Sequence, residues 1–190
     1  MWTTEQFGTA HEGYVGAVLD DGAEPEPAYI DPGSGTDFHK TREWWAYSGD
    51  LNRPRATRAR AACSCGWRGE TECAIDWDDV DAFTAVHPSP EPRADWSQHI
   101  ADVEAHTVPL PAELTTLLDQ LEASLARLSD EAPLAAIKAV DVLERLTKRV
   151  AREAAFNAEA DGLSDEDLGQ ALGVPPAEGK ARLQGYHLRP

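Results

Sequence analysis

The amino-acid sequence predicts an α+β protein in which a small β-rich module precedes a helical half. Three observations predict this fold class. Residues 55 to 63 alternate in the manner of a strand, inside a segment rich in aromatic residues. Residues 109 to 160 repeat apolar side chains at helical spacing. Residues 161 to 190 contain the capping and turn residues of short helices.

Length, charge and composition bound the class of protein. The chain has 190 residues, which suits one medium domain or two small ones, and a formal net charge of -17. No apolar run approaches the roughly 18 residues of a membrane-spanning helix, so we expect a soluble protein without a membrane partner. The first six residues lack the features of a secretory signal, which predicts a cytoplasmic location.

The acidic residues are unevenly distributed along the chain. Residues 61 to 110 hold ten Asp and Glu against two Arg, whereas residues 161 to 190 hold five acidic residues against three basic ones. A solvated face that keeps the protein soluble is the simplest interpretation. The alternative is a functional acidic surface that mimics nucleic acid or docks on a basic partner.

The first half of the chain divides into two segments. Residues 1 to 35 are rich in Gly, Asp, Glu and Pro, which predicts loops with one short strand over residues 14 to 19. Residues 36 to 108 predict the β-rich module, whose aromatic residues form its core. Within this module a short helix is expected over residues 79 to 85, and a closing helix over residues 94 to 107.

Two long helices are predicted over residues 109 to 160. Pro111 suits the first turn of a helix that runs to Leu128, and Pro133 begins a second helix that runs to Ala160. Because the connection is short, we expect the two to fold back as an antiparallel hairpin, with a coiled-coil homodimer through this hairpin as the alternative. The apolar stripes consist of Leu114, Leu117, Leu118, Leu121, Leu125 and Leu128, and of Leu134, Ile137, Val140, Leu143, Leu146 and Val150.

The pattern of residues 161 to 190 is typical of a helix-turn-helix. Ser164 can cap a helix, and Asp167 three residues later completes a box-like exchange with the exposed backbone donors. Gly173 permits the positive backbone angle that ends this helix, and Val174 fills the turn. A proline pair then begins the last helix at the position where proline is best tolerated. Together with the end of the long helix, around residues 155 to 160, we expect these two helices to form a trihelical unit.

The segment GLSDEDLGQALGV resembles the helix-turn-helix of bacterial transcription regulators and of the promoter-reading region 4 of sigma factors. The resemblance extends over about residues 155 to 185. The resemblance implies sequence-specific binding of duplex DNA through the last helix. The residues of that helix able to contact DNA are Lys180, Arg182 and Gln184. This helix departs from the family pattern because it carries few basic residues.

The stretch CSCGWRG is the candidate metal-binding motif. Cys63 and Cys65 are separated by one residue and followed by Gly66, which lets backbone amides turn toward the sulfurs. Most structural zinc knuckles place two to four residues between their cysteines, so this spacing is unusual. Three cysteines in a reducing compartment do not predict a disulfide framework, and buried or surface thiols are the alternative to a metal site.

The stretch also resembles the CxCGWxG segment of small domains of high-GC bacteria, in which a later histidine follows a Trp-containing helix. This resemblance implies His99 as the third ligand of a structural zinc ion. Cys73 is our candidate for the fourth ligand. The position also stays open to three histidines, His39, His87 and His106.

The favoured function is that of a cytoplasmic, DNA-associated transcriptional regulator. The alternative is an acidic protein-interaction or DNA-mimicking module, in which the same scaffold docks on a protein of the transcription machinery. No catalytic triad, phosphate loop or paired-carboxylate motif is visible, so we do not expect an enzyme. One dense basic cluster is an additional candidate for phosphate contact and consists of Arg53, Arg55, Arg58 and Arg60.

Overall fold

A computed structural model describes residues 1 to 30, 39 to 78 and 89 to 188. The chain folds as two compact units, Met1–Ala105 and His106–Pro190, which we call the N-terminal unit and the helical unit. Small antiparallel sheets in the first unit and helices in the second make the protein α+β, as expected. The short helix expected over residues 79 to 85 falls outside the described residues, as does His87.

The described residues of the N-terminal unit form two antiparallel sheets. The larger sheet has the strand order β1 (Gly13–Val18), β4 (Arg58–Cys63), β5 (Arg68–Ala74). The smaller sheet pairs β2 (Ala28–Ile30) with β3 (His39–Thr41). Strands β1 and β4 lie where the sequence predicts strands, and their register sets the start of β1 opposite the end of β4. One helix, α1 (Glu91–His106), follows the sheets.

Small residues of the central strand, β4, leave room for the aromatic core. Ala59 and Ala61 on β4 are fully buried, which lets large side chains approach the sheet closely. Trp44 and Tyr47 are also fully buried, in agreement with the expected aromatic core. The Tyr47 hydroxyl donates a hydrogen bond to the Glu26 carbonyl at 2.8 Å.

The arginines of the cluster expected to contact phosphate already interact with other residues of the N-terminal unit. Arg60 and Arg68 both bind the Glu24 carboxylate, at 2.7 Å and 2.6 Å. Arg58 pairs with Glu72 at 2.5 Å. These ion pairs give the arginine cluster a structural role within the unit. Of the two remaining members, Arg53 donates hydrogen bonds to the carbonyl oxygens of Ala46 and Tyr29. The Arg55 guanidinium lies over the Trp77 ring.

Two long helices begin the helical unit. Helix α2 (Ala112–Glu131) is separated from α3 (Pro133–Ala160) by Ala132 alone, and the two contact each other. None of the 20 residues of α2 is buried, and in α3 only Ala136 and Ala155 are buried. Most of the apolar stripes therefore remain in contact with solvent. Among the described residues, no helix is long and apolar enough to cross a membrane.

Two short helices, α4 (Asp165–Leu172) and α5 (Pro176–Leu188), complete the unit. The Ser164 side chain caps α4 by accepting a hydrogen bond from the Asp167 amide at 3.1 Å. Gly173 ends α4 in the left-handed conformation, with φ of 62°, and the following Val174 is buried. A β-carbon at Gly179 would lie only 3.2 Å from a backbone atom of α4, so close packing explains this glycine inside α5.

Candidate metal centre

Four side chains from three segments of the N-terminal unit converge on one point. They are His11, Cys63, Cys65 and His99, which we call the His2Cys2 cluster. Their ligand atoms all lie within 4.8 Å of one another. Thiolate sulfur and imidazole nitrogen are donors that transition metals bind, so the cluster could hold a metal ion.

The turn between β4 and β5 positions the two cysteines. Cys63 is the last residue of β4, and its amide donates a hydrogen bond to the Trp67 carbonyl at 3.0 Å. Gly66 adopts φ of 100°, a conformation that disfavours residues with a side chain, and its amide donates to the Cys63 carbonyl. The Trp67 amide donates to the Cys65 sulfur at 3.4 Å. This tight turn thus places both sulfurs in the cluster.

His11 reaches the cluster from a 3-10 turn, Gly8–His11, that precedes β1. Ser64, between the two cysteines, joins this 3-10 turn to the β4–β5 turn by hydrogen bonds. Its hydroxyl donates to the Thr9 carbonyl at 3.0 Å and accepts from the Glu12 amide at 2.8 Å. The Ser64 amide also donates to the Glu12 carbonyl at 2.9 Å. His11 is 4% exposed, so its ring is committed to the interior.

His99 is supplied by α1, and two tryptophans set its position. The Trp67 indole stacks on the His99 imidazole, with 4.4 Å between ring centroids and 5° between planes. Trp96, one turn earlier on α1, is buried against Gly13, where an added β-carbon would lie 2.5 Å from the indole. The absence of a side chain at Gly13 therefore lets the helix approach the sheet.

The distances inside the cluster are short. His11 Nδ1 lies 3.3 Å from His99 Nε2. Cys63 Sγ lies 3.6 Å from His11 Nδ1, and Cys65 Sγ lies 3.4 Å from His99 Nε2. Each contact joins two groups that can give up a proton to become a metal ligand.

The two thiols have opposite pKa shifts. A hydrogen bond from the Cys65 thiol lowers the pKa of Cys63, and His99 and His11 act in the same direction against the effect of burial. The Cys63 thiolate in turn raises the pKa of Cys65, and burial adds to the effect. Without a cation the pair thus favours one thiolate and one thiol, because two adjacent anions would repel each other.

The structure brings together three of the four predicted metal ligands, Cys63, Cys65 and His99. Cys73 is not in the cluster; it lies on β5, with its sulfur 3.6 Å from the Ser89 hydroxyl. The fourth position is taken by His11, which the sequence analysis missed. The other described candidates, His39 on β3 and His106 at the end of α1, are not in the cluster either.

The residues predicted to bind DNA all lie on α5. Lys180 Nζ lies 2.8 Å from the Asp165 carboxylate at the start of α4. Arg182 pairs with Glu178 at 2.6 Å, one turn earlier in the same helix. Gln184 is exposed. Both predicted cations are therefore partnered by carboxylates of the helical unit, although all four side chains remain 39 to 54% exposed.

No family model, no curated protein and no solved structure matches this chain.

Proposed function

We propose that the protein is a zinc-stabilised regulator whose helical unit binds duplex DNA. Two parts of the molecule support this proposal separately. The spacing of the His2Cys2 cluster supports a structural zinc ion in the N-terminal unit. A basic stripe on α3, together with the pair α4 and α5 joined by a glycine turn, supports DNA binding.

Three of the six distances between ligand atoms of the cluster agree with those between the corners of a zinc tetrahedron. With Zn–S bonds of about 2.3 Å and Zn–N bonds of about 2.05 Å, two nitrogens lie about 3.3 Å apart and a nitrogen and sulfur about 3.5 Å apart. The two imidazole nitrogens of the cluster lie 3.3 Å apart. The two sulfur–nitrogen distances are 3.6 Å and 3.4 Å. A zinc ion fits this donor set without a rearrangement of these pairs.

The proposed role of zinc is structural. Four protein ligands complete a tetrahedron, which leaves no position for a substrate or a reactive water. His11 and Cys63 are 4% and 1% exposed, so solvent has little access to that side of the cluster. Zinc would join the first 3-10 turn, the β4–β5 turn and α1, which lie far apart in sequence. It would also neutralise the second thiolate that Cys63 otherwise disfavours.

Elemental analysis of protein purified without added zinc tests the site. We expect about one zinc per chain in the wild type and in Cys73→Ser, which removes a thiol outside the cluster. We expect strong loss of zinc in Cys65→Ser and in His11→Ala. Equal loss in Cys73→Ser, or a wild type that holds almost no zinc, would overturn the assignment.

The local geometry of α4 and α5 supports a helix-turn-helix. Ser164 caps the first helix, Gly173 supplies the left-handed residue of the turn, and the buried Val174 fills it. Gly169 and Gly179 let the two helices pack at backbone contact. Helix α5 also contacts α3, which provides the third helix of such a unit. In helix-turn-helix proteins this arrangement presents the last helix to the major groove.

A basic stripe on α3 carries the DNA-binding part of the proposal. Arg145, Lys148, Arg149 and Arg152 are exposed and recur at i, i+3, i+4 and i+7, so they share one helix face. Arg145 also pairs with Asp141, one turn earlier on α3. The stripe adds four cations to Lys180 and Arg182 of the last helix. The ion pairs of Lys180 and Arg182 do not exclude phosphate contact, because exposed pairs contribute no more than about 1 kcal/mol and are screened by salt.

Fluorescence anisotropy with labelled duplex DNA, measured over a range of salt concentrations, tests this proposal. We expect binding that weakens as the salt concentration rises. Arg149→Glu should weaken binding further and make the slope of log K against log salt less negative by about one. Arg127→Glu, an exposed change of the same charge on α2, is the matched control and should have a smaller effect. The absence of binding at low salt, or equal effects of the two variants, would count against DNA binding.

Docking on a basic protein is the second candidate function. The first turn of α4 carries three carboxylates, Asp165, Glu166 and Asp167, where a phosphate backbone would be repelled. The helical unit as a whole has fourteen acidic and nine basic residues. If this candidate is correct, the protein should retain one stoichiometric protein partner from its native lysate, and the retention should fall as salt rises. Recovery of nucleic acid alone would exclude it.

A further inference from the structure

The two cysteines of the His2Cys2 cluster differ in their access to solvent. Cys63 is 1% exposed, whereas Cys65 is only half-buried. The Trp67 amide donates to the Cys65 sulfur at 3.4 Å, which fixes the position of this sulfur. A small reagent that arrives from solvent therefore reaches Cys65 more readily than Cys63.

The β4–β5 turn also brings the two sulfurs close to each other. Both belong to the set of ligand atoms that all lie within 4.8 Å of one another. The Gly66 amide closes the turn on the Cys63 carbonyl at 3.0 Å, and the ends of such a turn are no more than about 7 Å apart. Disulfides span Cα–Cα distances of about 4.4 to 6.8 Å, so two cysteines within one such turn are close enough to be bridged.

We propose that Cys65 is a site of oxidation by hydroperoxides, and that its oxidation converts the cysteine pair into a Cys63–Cys65 disulfide and releases the zinc. This inference rests on the zinc site of the proposed function. Cysteine ligands of zinc are thiolates, and the thiolate is the form of cysteine that peroxides oxidise. The cluster thus places an accessible thiolate beside a second, buried one.

The oxidation takes two steps. In the first, the Cys65 thiolate attacks one oxygen of the hydroperoxide, the O–O bond breaks, and the other oxygen leaves as hydroxide or alkoxide, so that Cys65 becomes a sulfenic acid. In the second, the Cys63 thiolate attacks the Cys65 sulfur, the S–S bond forms, and hydroxide leaves. The two sulfurs together lose two electrons, which the peroxide accepts.

Formation of the disulfide removes both anionic ligands of the zinc. His11 and His99 alone are too few donors for a structural site, which requires four. Zinc is then lost, and with it the link between the first 3-10 turn, the β4–β5 turn and α1. Reduction of the disulfide by a dithiol returns both thiolates, so the change is reversible.

Cys73 provides an internal control for this chemistry. It is half-buried, like Cys65, but it is not part of the cluster, and its sulfur lies 3.6 Å from the Ser89 hydroxyl. No zinc ion keeps this thiol ionised, so we expect it to react more slowly with peroxide than Cys65 does.

Titration of the zinc-loaded full chain with hydrogen peroxide, in the presence of a chromogenic zinc indicator, tests the proposal. We expect release of about one zinc per chain, while the number of free thiols falls from three to about one. Cleavage after arginine separates residues 61 to 68, which include Cys63 and Cys65, from Cys73. Mass spectrometry should show the loss of two hydrogens from the first peptide and a reduced Cys73.

Two variants and a reductant complete the test. Cys73→Ser should release zinc as the wild type does, and a dithiol with added zinc should restore the zinc content. Cys63→Ser removes the thiolate that resolves the sulfenic acid, so dimedone should label Cys65 in this variant about tenfold more than in the wild type. The wild-type titration decides the proposal whether or not this variant folds.

The possible failures are distinguishable. Zinc that is retained while Cys73 becomes oxidised overturns this inference and leaves the zinc assignment intact. A disulfide that includes Cys73, or zinc release without any disulfide, has the same meaning. A chain that holds no zinc before peroxide is added overturns the zinc assignment itself, and this inference with it.

Discussion

At the scale of single residues, Trp67 links the sequence motif to the geometry of the cluster. Its indole lies flat on the His99 imidazole, while its amide donates to the Cys65 sulfur. One residue therefore orients a cluster side chain from the β4–β5 turn and another from α1. Residues that orient metal ligands in this way commonly change metal affinity by tenfold or more when they are replaced.

Replacing Trp67 should weaken metal binding without removing a ligand. We expect Trp67→Ala to lower zinc affinity by about tenfold, because the His99 ring loses the surface that holds its orientation. Trp67→Phe keeps an aromatic face and should restore most of the affinity. Competition with a chromogenic chelator measures both. Unchanged affinity in Trp67→Ala would show that the stack does not orient the ligand.

Glu24 gives the N-terminal unit a defined dependence on pH. Burial raises the pKa of Glu24, but hydrogen bonds from Arg68 and Arg60 outweigh it and hold the pKa below the ordinary value. Because the pKa is lower in the folded state, the stabilisation is complete above the unfolded pKa of about 4.3 and is lost as the pH falls through the folded pKa.

The variant Glu24→Gln should therefore be less stable than the wild type at neutral pH, by about 1 kcal/mol. The difference should shrink as the pH falls below about 4, where the wild-type carboxylate takes up its proton. Urea unfolding followed by tryptophan fluorescence measures it. Glu70→Gln, at an exposed position on β5, is the control, and a constant difference for Glu24→Gln at all pH values would contradict this interpretation.

The sequence indicated three of the four cluster residues, and the fourth depends on strand pairing. Cys63 and Cys65 were visible as a motif, and a resemblance implied His99. His11 has no motif of its own. It enters the cluster because Gly13 pairs with Cys63, which brings the residues before β1 beside the knuckle. The pairing of Gly13 with Cys63, 50 positions later, is a non-local property, so the local pattern around His11 could not reveal it.

At the scale of elements, local periodicity and capping residues predict the helices well. The second long helix was expected from Pro133 to Ala160, and α3 has these bounds. The closing helix was expected over residues 94 to 107, and α1 spans Glu91–His106. These agreements arise because caps and apolar spacing act within a few residues. The strand order β1–β4–β5 depends on contacts across the whole unit and was not predicted.

Two glycines of the last helices should respond to alanine in opposite directions. Gly173 has φ of 62°, so Gly173→Ala should destabilise the helical unit by about 1 kcal/mol or more. Gly185 lies inside α5 with open space around it, so Gly185→Ala should stabilise the unit by up to about 1 kcal/mol. Thermal unfolding followed by circular dichroism compares them. Equal effects of the same sign would contradict the turn geometry.

At the scale of the whole molecule, charge and aromatic residues divide between the two units. Residues 1 to 105 hold twenty acidic and eight basic residues, so most of the negative charge belongs to the N-terminal unit. The net charge of -17 is therefore a poor argument against DNA binding by the helical unit. All six tryptophans also lie in the N-terminal unit. Tryptophan fluorescence thus reports on that unit alone.

This division allows metal removal to be followed in each unit separately. A strong zinc chelator should lower the unfolding midpoint measured by tryptophan fluorescence, because a metal that binds only the folded unit stabilises it. The midpoint measured by circular dichroism at 222 nm, to which the long helices contribute most, should change much less. Equal shifts of both signals would contradict a zinc role confined to the N-terminal unit.

We propose that the His2Cys2 cluster holds zinc through two sulfurs and two nitrogens. X-ray absorption at the zinc edge of the purified full chain tests it most directly. We predict two sulfur neighbours at about 2.3 Å and two nitrogen neighbours at about 2.0 to 2.1 Å, with the imidazole signature of two histidines. A shell of oxygen and nitrogen alone, or one with three or more sulfurs, would contradict the assignment of His11, Cys63, Cys65 and His99.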